Sequence, residues 1–193
     1  DIGGESTRPG AEEVSAEEEL ARVEPVVRGL AAAATVSIDT SKLSVAEAAL
    51  GAGASIVNDV TALRHDPEIG GLCAERGAGL ILMHMQGDPR TMQANPVYDD
   101  VVDDVKAFLA ERLRAAVDAG VEEERVWLDP GIGFGKTLEH NLELLRRLGE
   151  IAALGRPVVL GTSRKSFIGR LTGRDVAGRV HGTVATCVLG YER

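Results

Sequence analysis

RVWLDPGIGFGKT, residues 125–137, decides between two kinds of parallel α/β fold. Val126, Trp127 and Leu128 form a short apolar run ending at Asp129, the pattern of a strand covered on both faces. A dinucleotide-binding sheet would follow such a strand with G-x-G-x-x-G, and a phosphate-cradling P-loop would read G-x-x-x-x-G-K-[ST]. The stretch has G-x-G-x-G instead, and Pro130 stands where the first P-loop glycine belongs, although Lys136 and Thr137 match the end of that pattern. Both nucleotide readings are therefore set aside. What remains is a strand that delivers polar residues at its C-terminal end and a loop, Gly131, Gly133 and Gly135, kept free of side chains for close approach.

Outward from this point the same unit recurs. Apolar runs with little alternation lie at 35–40, 55–60, 79–85 and 157–163, and Asp1-Ile2 reads as the last step of another buried strand. Helical signals separate them. Ser15 and Glu18 form a capping box ahead of Leu20, Val23, Val27 and Leu30, with a kink expected at Pro25. Asp66-Pro67 opens a helix that Gly77 stops, and Val101, Val105, Leu109 and Val117 hold helical spacing as far as Gly120. Leu138, Leu142, Leu145 and Leu148 form the next stripe, and Asp175 caps a last one of Val176, Val180, Val184 and Val188. About six βα units result, which predicts a parallel sheet, either a barrel or an open doubly wound sheet.

Composition narrows the partners. The 193 residues suffice for one domain, and a net charge of −9 with 3% aromatic residues speaks against a nucleic-acid surface. No apolar run approaches membrane-spanning length and no signal-peptide pattern opens the chain. Cys73 and Cys187 are isolated and read as reduced core thiols, which makes the cytoplasm the expected setting.

Each apolar run finishes in polar or special residues: Asp1 and Arg8, Asp39, Asn58 and Asp59, His84, Asp129, then Ser163, Arg164 and Lys165. In parallel βα folds these ends converge on one face. Any single aspartate there can be a turn former; all of them together are a costly way to make turns. Asp39, Asp129 and Asn58 offer carboxylate acceptors and an amide that both donates and accepts, a set suited to the edge of a flat heterocycle such as a 2-amino-4-oxo-pteridine. Lys165 could donate to ring acceptors, and Arg8 and Arg164 carry forked donors for carboxylate or phosphate. A lone strand-end histidine such as His84 reads as structural.

The motifs DIGGESTRPGA, SIDTSK, IVNDVT, LMHMQGDPRTMQ, LDPGIGFGKT and GTSRKSFIG, in this order and spacing, resemble dihydropteroate synthase of folate biosynthesis. The resemblance implies a (β/α)8 TIM barrel, incomplete over 1–193, that joins 6-hydroxymethyl-7,8-dihydropterin diphosphate to p-aminobenzoate. It implies that Asp39, Asn58, Asp129, Lys165, Met85 and Phe134 meet the pterin, and that Thr7, Pro9, Phe134, Ser163 and Lys165 meet p-aminobenzoate. Asp39, Lys165 and Arg8 are the implied catalytic set, with Thr7 and Arg8 on a mobile loop. Mg2+ is the implied cofactor, its ligand expected ahead of residue 1, and a homodimer the implied assembly, with the final helix a candidate contact.

The resemblance also places the chain between the end of the second barrel strand and the seventh helix, so that this stretch alone is expected to show little activity. RVHG at 179–182 lies inside the last helical stripe, so no phosphate-binding role passes to Arg179 or His181. Two other readings stand beside it. A methyltetrahydrofolate:corrinoid methyltransferase shares the barrel and the pterin reader but not SRKSF or GESTRPG, and an inactive scaffold copy would need no polar ring.

Overall fold

The structure, a computed structural model, describes residues 1–8, 10–89 and 91–192. Its centre is a parallel sheet of β1 (Ile2–Gly3), β2 (Ser37–Asp39), β3 (Ile56–Asp59), β4 (Gly79–Met83) and β5 (Val126–Asp129), hydrogen-bonded in that order. Each strand lies beside its predecessor in the chain. A doubly wound sheet reverses its strand order at a switch point, whereas a barrel never does. The unreversed order is the barrel arrangement, here an open arc of it.

The register sorts the side chains onto two faces, because successive residues of a strand point opposite ways. Ile38, Val57, Leu80, Leu82, Val126 and Leu128 share the outer face and are fully buried. The helices that cover them are α1 (Ala16–Leu30), α2 (Leu43–Gly51), α3 (Glu68–Arg76) and α4 (Val101–Asp118). They contribute Val23 and Val27, Val45 and Ala49, Ile69 and Cys73, and Val102, Val105 and Leu109 to one continuous core. Burial of each such aliphatic side chain stabilises the fold by about 1.5–3 kcal/mol.

The helix starts follow local chemistry. The Ser15 hydroxyl accepts from the Glu18 amide, but the Glu18 carboxylate pairs with Arg22 rather than completing the box, and α1 runs on through Pro25. The Asp66 carboxylate accepts from the Glu68 amide and also from the Leu43 amide, so it serves the starts of both α3 and α2. Asp100 caps α4 at Val102 and Asp103. Gly77 closes α3 in the left-handed region at φ 59°.

Three expectations change. The 157–163 run meets β5 only through a Leu128–Val158 bridge, since Pro157 can accept but has no amide to donate. The stripe after Thr137 is phased differently: α5 (Leu138–Arg146) buries Asn141, Leu144 and Leu145 while Leu142 faces outward, and Leu148 starts a separate α6 (Leu148–Ala152). Thr137 and His140 close a reciprocal cap that sets this phase.

Beyond α7 (Ser166–Thr172), a short 3-10 turn at 177–179 leads into α8 (Val180–Tyr191). Val176, Val180, Val184 and Val188 of the last stripe are 52–57% exposed, and Cys187, expected as a core thiol, is exposed too, so only Cys73 is one.

Candidate functional site

The inner face of the sheet carries the polar residues. Asp39 is the register partner of both Gly3 and Asn58, and Asn58 is the partner of Ile81. Ile81 pairs with Trp127, two residues before Asp129, so Asp39, Asn58 and Asp129 all project from the same face. Asp59, one residue on from Asn58, points the other way. Its carboxylate accepts from the Thr61 amide, the Thr61 hydroxyl and the Leu63 amide, holding a turn in which Ala62 and Leu63 both have positive φ.

Asn58 donates to the Asp1 carboxylate at 3.1 Å, while its Oδ1 is buried and has no hydrogen-bond partner among the described residues. An acceptor in that state costs about 1–3 kcal/mol unless a ligand donates to it. Asp129 accepts from the Gly131 amide at 2.7 Å. A methyl group at Gly161 would lie 3.7 Å from Lys165 Nζ and 4.0 Å from Asp129 Oδ2, which puts the lysine and the carboxylate on either side of one small gap. Lys165 Nζ also donates to the Ile132 carbonyl and sits 4.6 Å from the centre of the Phe134 ring. Phe134 and Met85 in turn pack with Val60, Met83 and Met92 in a small apolar cluster separate from the main core.

A cavity of about 330 Å3 opens beside this face, bounded by the loops after β1 to β4 and lined by Thr7, Glu19, Asp39, Lys42, Arg64 and Met85 among others. Of the residues expected at a site, Thr7, Asp39 and Met85 line it. Asn58, Asp129, Phe134 and Lys165 do not; they lie across the same inner face and the adjoining glycine loop. Arg8 and Ser163 are exposed and outside the cavity lining, and Pro9 lies outside the described residues.

Burial dominates the electrostatics. It raises the Asp39 carboxyl to about 6, and the nearby Glu19 and Asp59 push the same way. It also raises Asp129, against the Gly131 amide and the charges of Lys165 and Lys136, and it lowers Lys165. Negative groups thus concentrate on the β2–β3 side, and the ammonium groups gather near β5.

Several residues with evident work carried no signal from spacing. Lys42 bridges Glu5 and Glu19, tying the loop after β1 to α1, and Glu19 is 1% exposed with its Oε1 unpartnered among the described residues. Arg64 donates to the Met85 carbonyl at 3.0 Å and lies over the Phe108 ring. Lys136, matched to a P-loop and then set aside, is buried against His84. The His84 ring is buried and stands edge-on to Phe108.

The family described as pterin binding enzyme matches residues 1–193. The dihydropteroate synthase of Neisseria meningitidis serogroup C is 48% identical over 197 residues, covering 100% of this chain and 70% of its own length. The structure of the Xanthomonas albilineans dihydropteroate synthase with 4-aminobenzoic acid superposes with a TM-score of 0.92 at 47% identity, over 99% of this chain and 68% of that one. The same enzyme in complex with 7,8-dihydropteroate gives a TM-score of 0.86 at 44% identity, over 95% and 68% of the two chains.

Proposed function

Because the chain belongs to the pterin binding enzymes, we propose that it catalyses the dihydropteroate synthase reaction. The substrates are 6-hydroxymethyl-7,8-dihydropterin diphosphate and p-aminobenzoate; the products are 7,8-dihydropteroate and diphosphate. The observation that supports the pterin most directly is the buried Asn58 Oδ1, an acceptor awaiting a donor on the face it shares with Asp39 and Asp129. The Asp129 carboxylate accepts from the amino-pyrimidine edge, Asn58 accepts from a ring N–H, and Lys165 donates from the opposite side. Met85 and Phe134 supply the apolar walls.

In the reaction the bond from the pterin methylene to the diphosphate oxygen breaks and its electron pair leaves with the diphosphate. The methylene cation is delocalised into the ring, where Asp39 offers the compensating negative charge. The amine nitrogen of p-aminobenzoate attacks the methylene carbon and then releases a proton to solvent. No strong base is needed, so the chain's task is orientation. Thr7, Pro9 and Ser163 orient p-aminobenzoate, Lys165 faces its carboxylate, and Arg8 meets the anionic groups. Among the described residues no group of three or more His, Cys, Asp or Glu side chains is placed to hold a metal ion. Mg2+ stays the proposed cofactor, which would be held by few protein ligands together with water and the diphosphate oxygens, and no step above depends on it.

We also propose a homodimer, supported by the exposed valine face of α8, and a cytoplasmic location, supported by two free cysteines. No helix among the described residues is long and apolar enough to cross a membrane.

The reading is tested by calorimetric titration of 6-hydroxymethylpterin into the wild type and Asp129→Asn. Loss of a charged, buried acceptor weakens binding by about 2–3 kcal/mol, or roughly 30- to 150-fold. Equal affinities in the two proteins would overturn the assignment.

A further inference from the structure

Lys136 is 3% exposed and is not among the residues that line the cavity beside the inner face. Its ammonium donates to His84 Nδ1 at 2.9 Å, to the Phe134 carbonyl at 2.9 Å and, more weakly, to the His84 carbonyl at 3.4 Å. All three acceptors are neutral; burial lowers the Lys136 pKa to about 7, with the Asp129 charge opposing that shift and the Lys165 charge adding to it. Burying an ammonium in this way costs several kcal/mol against an apolar side chain of similar size. Packing alone does not explain its presence.

The contacts join two parts of the site. His84 directly precedes Met85 at the end of β4, and Phe134 sits at the tip of the glycine loop after β5, its ring beneath the Lys165 ammonium. Gly131, Gly133 and Gly135 all adopt positive φ and offer no side chains, so the loop is held through its backbone: Asp129 accepts from the Gly131 amide, Lys165 donates to the Ile132 carbonyl and the Tyr98 hydroxyl donates to the Gly135 carbonyl. At Gly131 the loop passes so close to β4 that a Cβ would lie 1.8 Å from the His84 carbonyl oxygen. At Gly133 the buried Asn141 accepts from the amide and Gln93 donates to the carbonyl, whereas among the described residues Lys136 alone ties the loop to His84 through a side-chain ammonium.

We infer that Lys136 is a positioning residue for pterin binding: it fastens the glycine loop to the end of β4, and through Phe134 it sets where Lys165 stands beside Asp129. His84 serves as its neutral acceptor, which fixes the imidazole proton on Nε2. Burial, with the Lys136 charge next, holds that ring far below its ordinary pKa, at about 2. The inference rests on the pterin reading above.

The test is a double-mutant cycle on the full chain, with 6-hydroxymethylpterin as the titrant. Lys136→Met weakens pterin binding roughly tenfold or more, and Lys165→Met costs much less in that background than in the wild type. His84→Gln keeps an acceptor for the ammonium and holds affinity within about threefold, while His84→Leu behaves as Lys136→Met does. Additive effects of Lys136→Met and Lys165→Met, or indistinguishable affinities for the two His84 variants, would overturn the inference. If Lys136→Met fails to fold, the two His84 variants crossed with Lys165→Met carry the same comparison. Wild-type protein that does not bind the pterin removes both readings, whereas binding with additive variants removes this one alone.

Discussion

Asn58 and Asp59 are adjacent and do opposite things, because one residue of register moves a side chain from the inner to the outer face of the sheet. Asp59→Ala frees the turn amides and leaves Ala62 and Leu63 strained, so a loss of about 3 kcal/mol is expected in urea denaturation. Asn58→Ala should leave that midpoint nearly unchanged and abolish the pterin signal. Asp39 makes a separable prediction. Its carboxyl, raised from 3.8 to about 6, prefers the protonated form in the fold. Its stabilising contribution is therefore present below pH 3.8 and lost as pH rises through about 6. Asp39→Asn should raise the denaturation midpoint at pH 8 and flatten its pH dependence. Pterin affinity, which uses the anion, should run the other way in the wild type, falling as pH drops through about 6. The residue types at the strand ends were legible in the sequence. Which aspartate is a turn former was not, since that depends on register, and Lys136 meets His84 across a separation that no local pattern reports.

The elements were legible where one face is apolar and the ends are capped, as in α1, α3 and α4. They were misread where tertiary contacts set the phase. In α5 the Thr137–His140 cap, followed by Arg147 pairing with Asp100 and Glu150, breaks the run that four leucines suggested. The loop after β1 depends on a link the sequence does not display, Lys42 between Glu5 and Glu19. Lys42→Met leaves Glu19 as an unpaired buried carboxylate and should cost about 3–5 kcal/mol by denaturant titration. The same substitution in combination with Glu19→Met should recover most of that loss.

For the whole molecule, βα repetition left a barrel and an open sheet both standing; the unreversed strand order decides for the barrel arrangement. Hydrophobic period alone could not separate them, because it reports that a strand is covered, not which strand lies beside it; the motifs that resemble dihydropteroate synthase pointed to the barrel. The valine face of α8 belongs to the same scale. At 52–57% exposure, Val180, Val184 and Val188 follow one another at four-residue spacing along α8. Val184→Glu should abolish the proposed homodimer in sedimentation velocity while leaving pterin affinity within about twofold, since charges are strongly disfavoured in an interface core; a monomeric wild type would overturn the proposal.

Strand order also governs how the chain is made. Ile2 pairs with Ile38, Ile38 with Val57, Val57 with Leu80 and Leu80 with Val126, so every ladder closes onto the segment synthesised just before it. Among the described strands each pairs with its neighbour in sequence, and the entropy of closing each crossover grows only slowly with its length. The sheet can therefore grow in step with translation, each new βα segment docking on a template already standing as it leaves the ribosome.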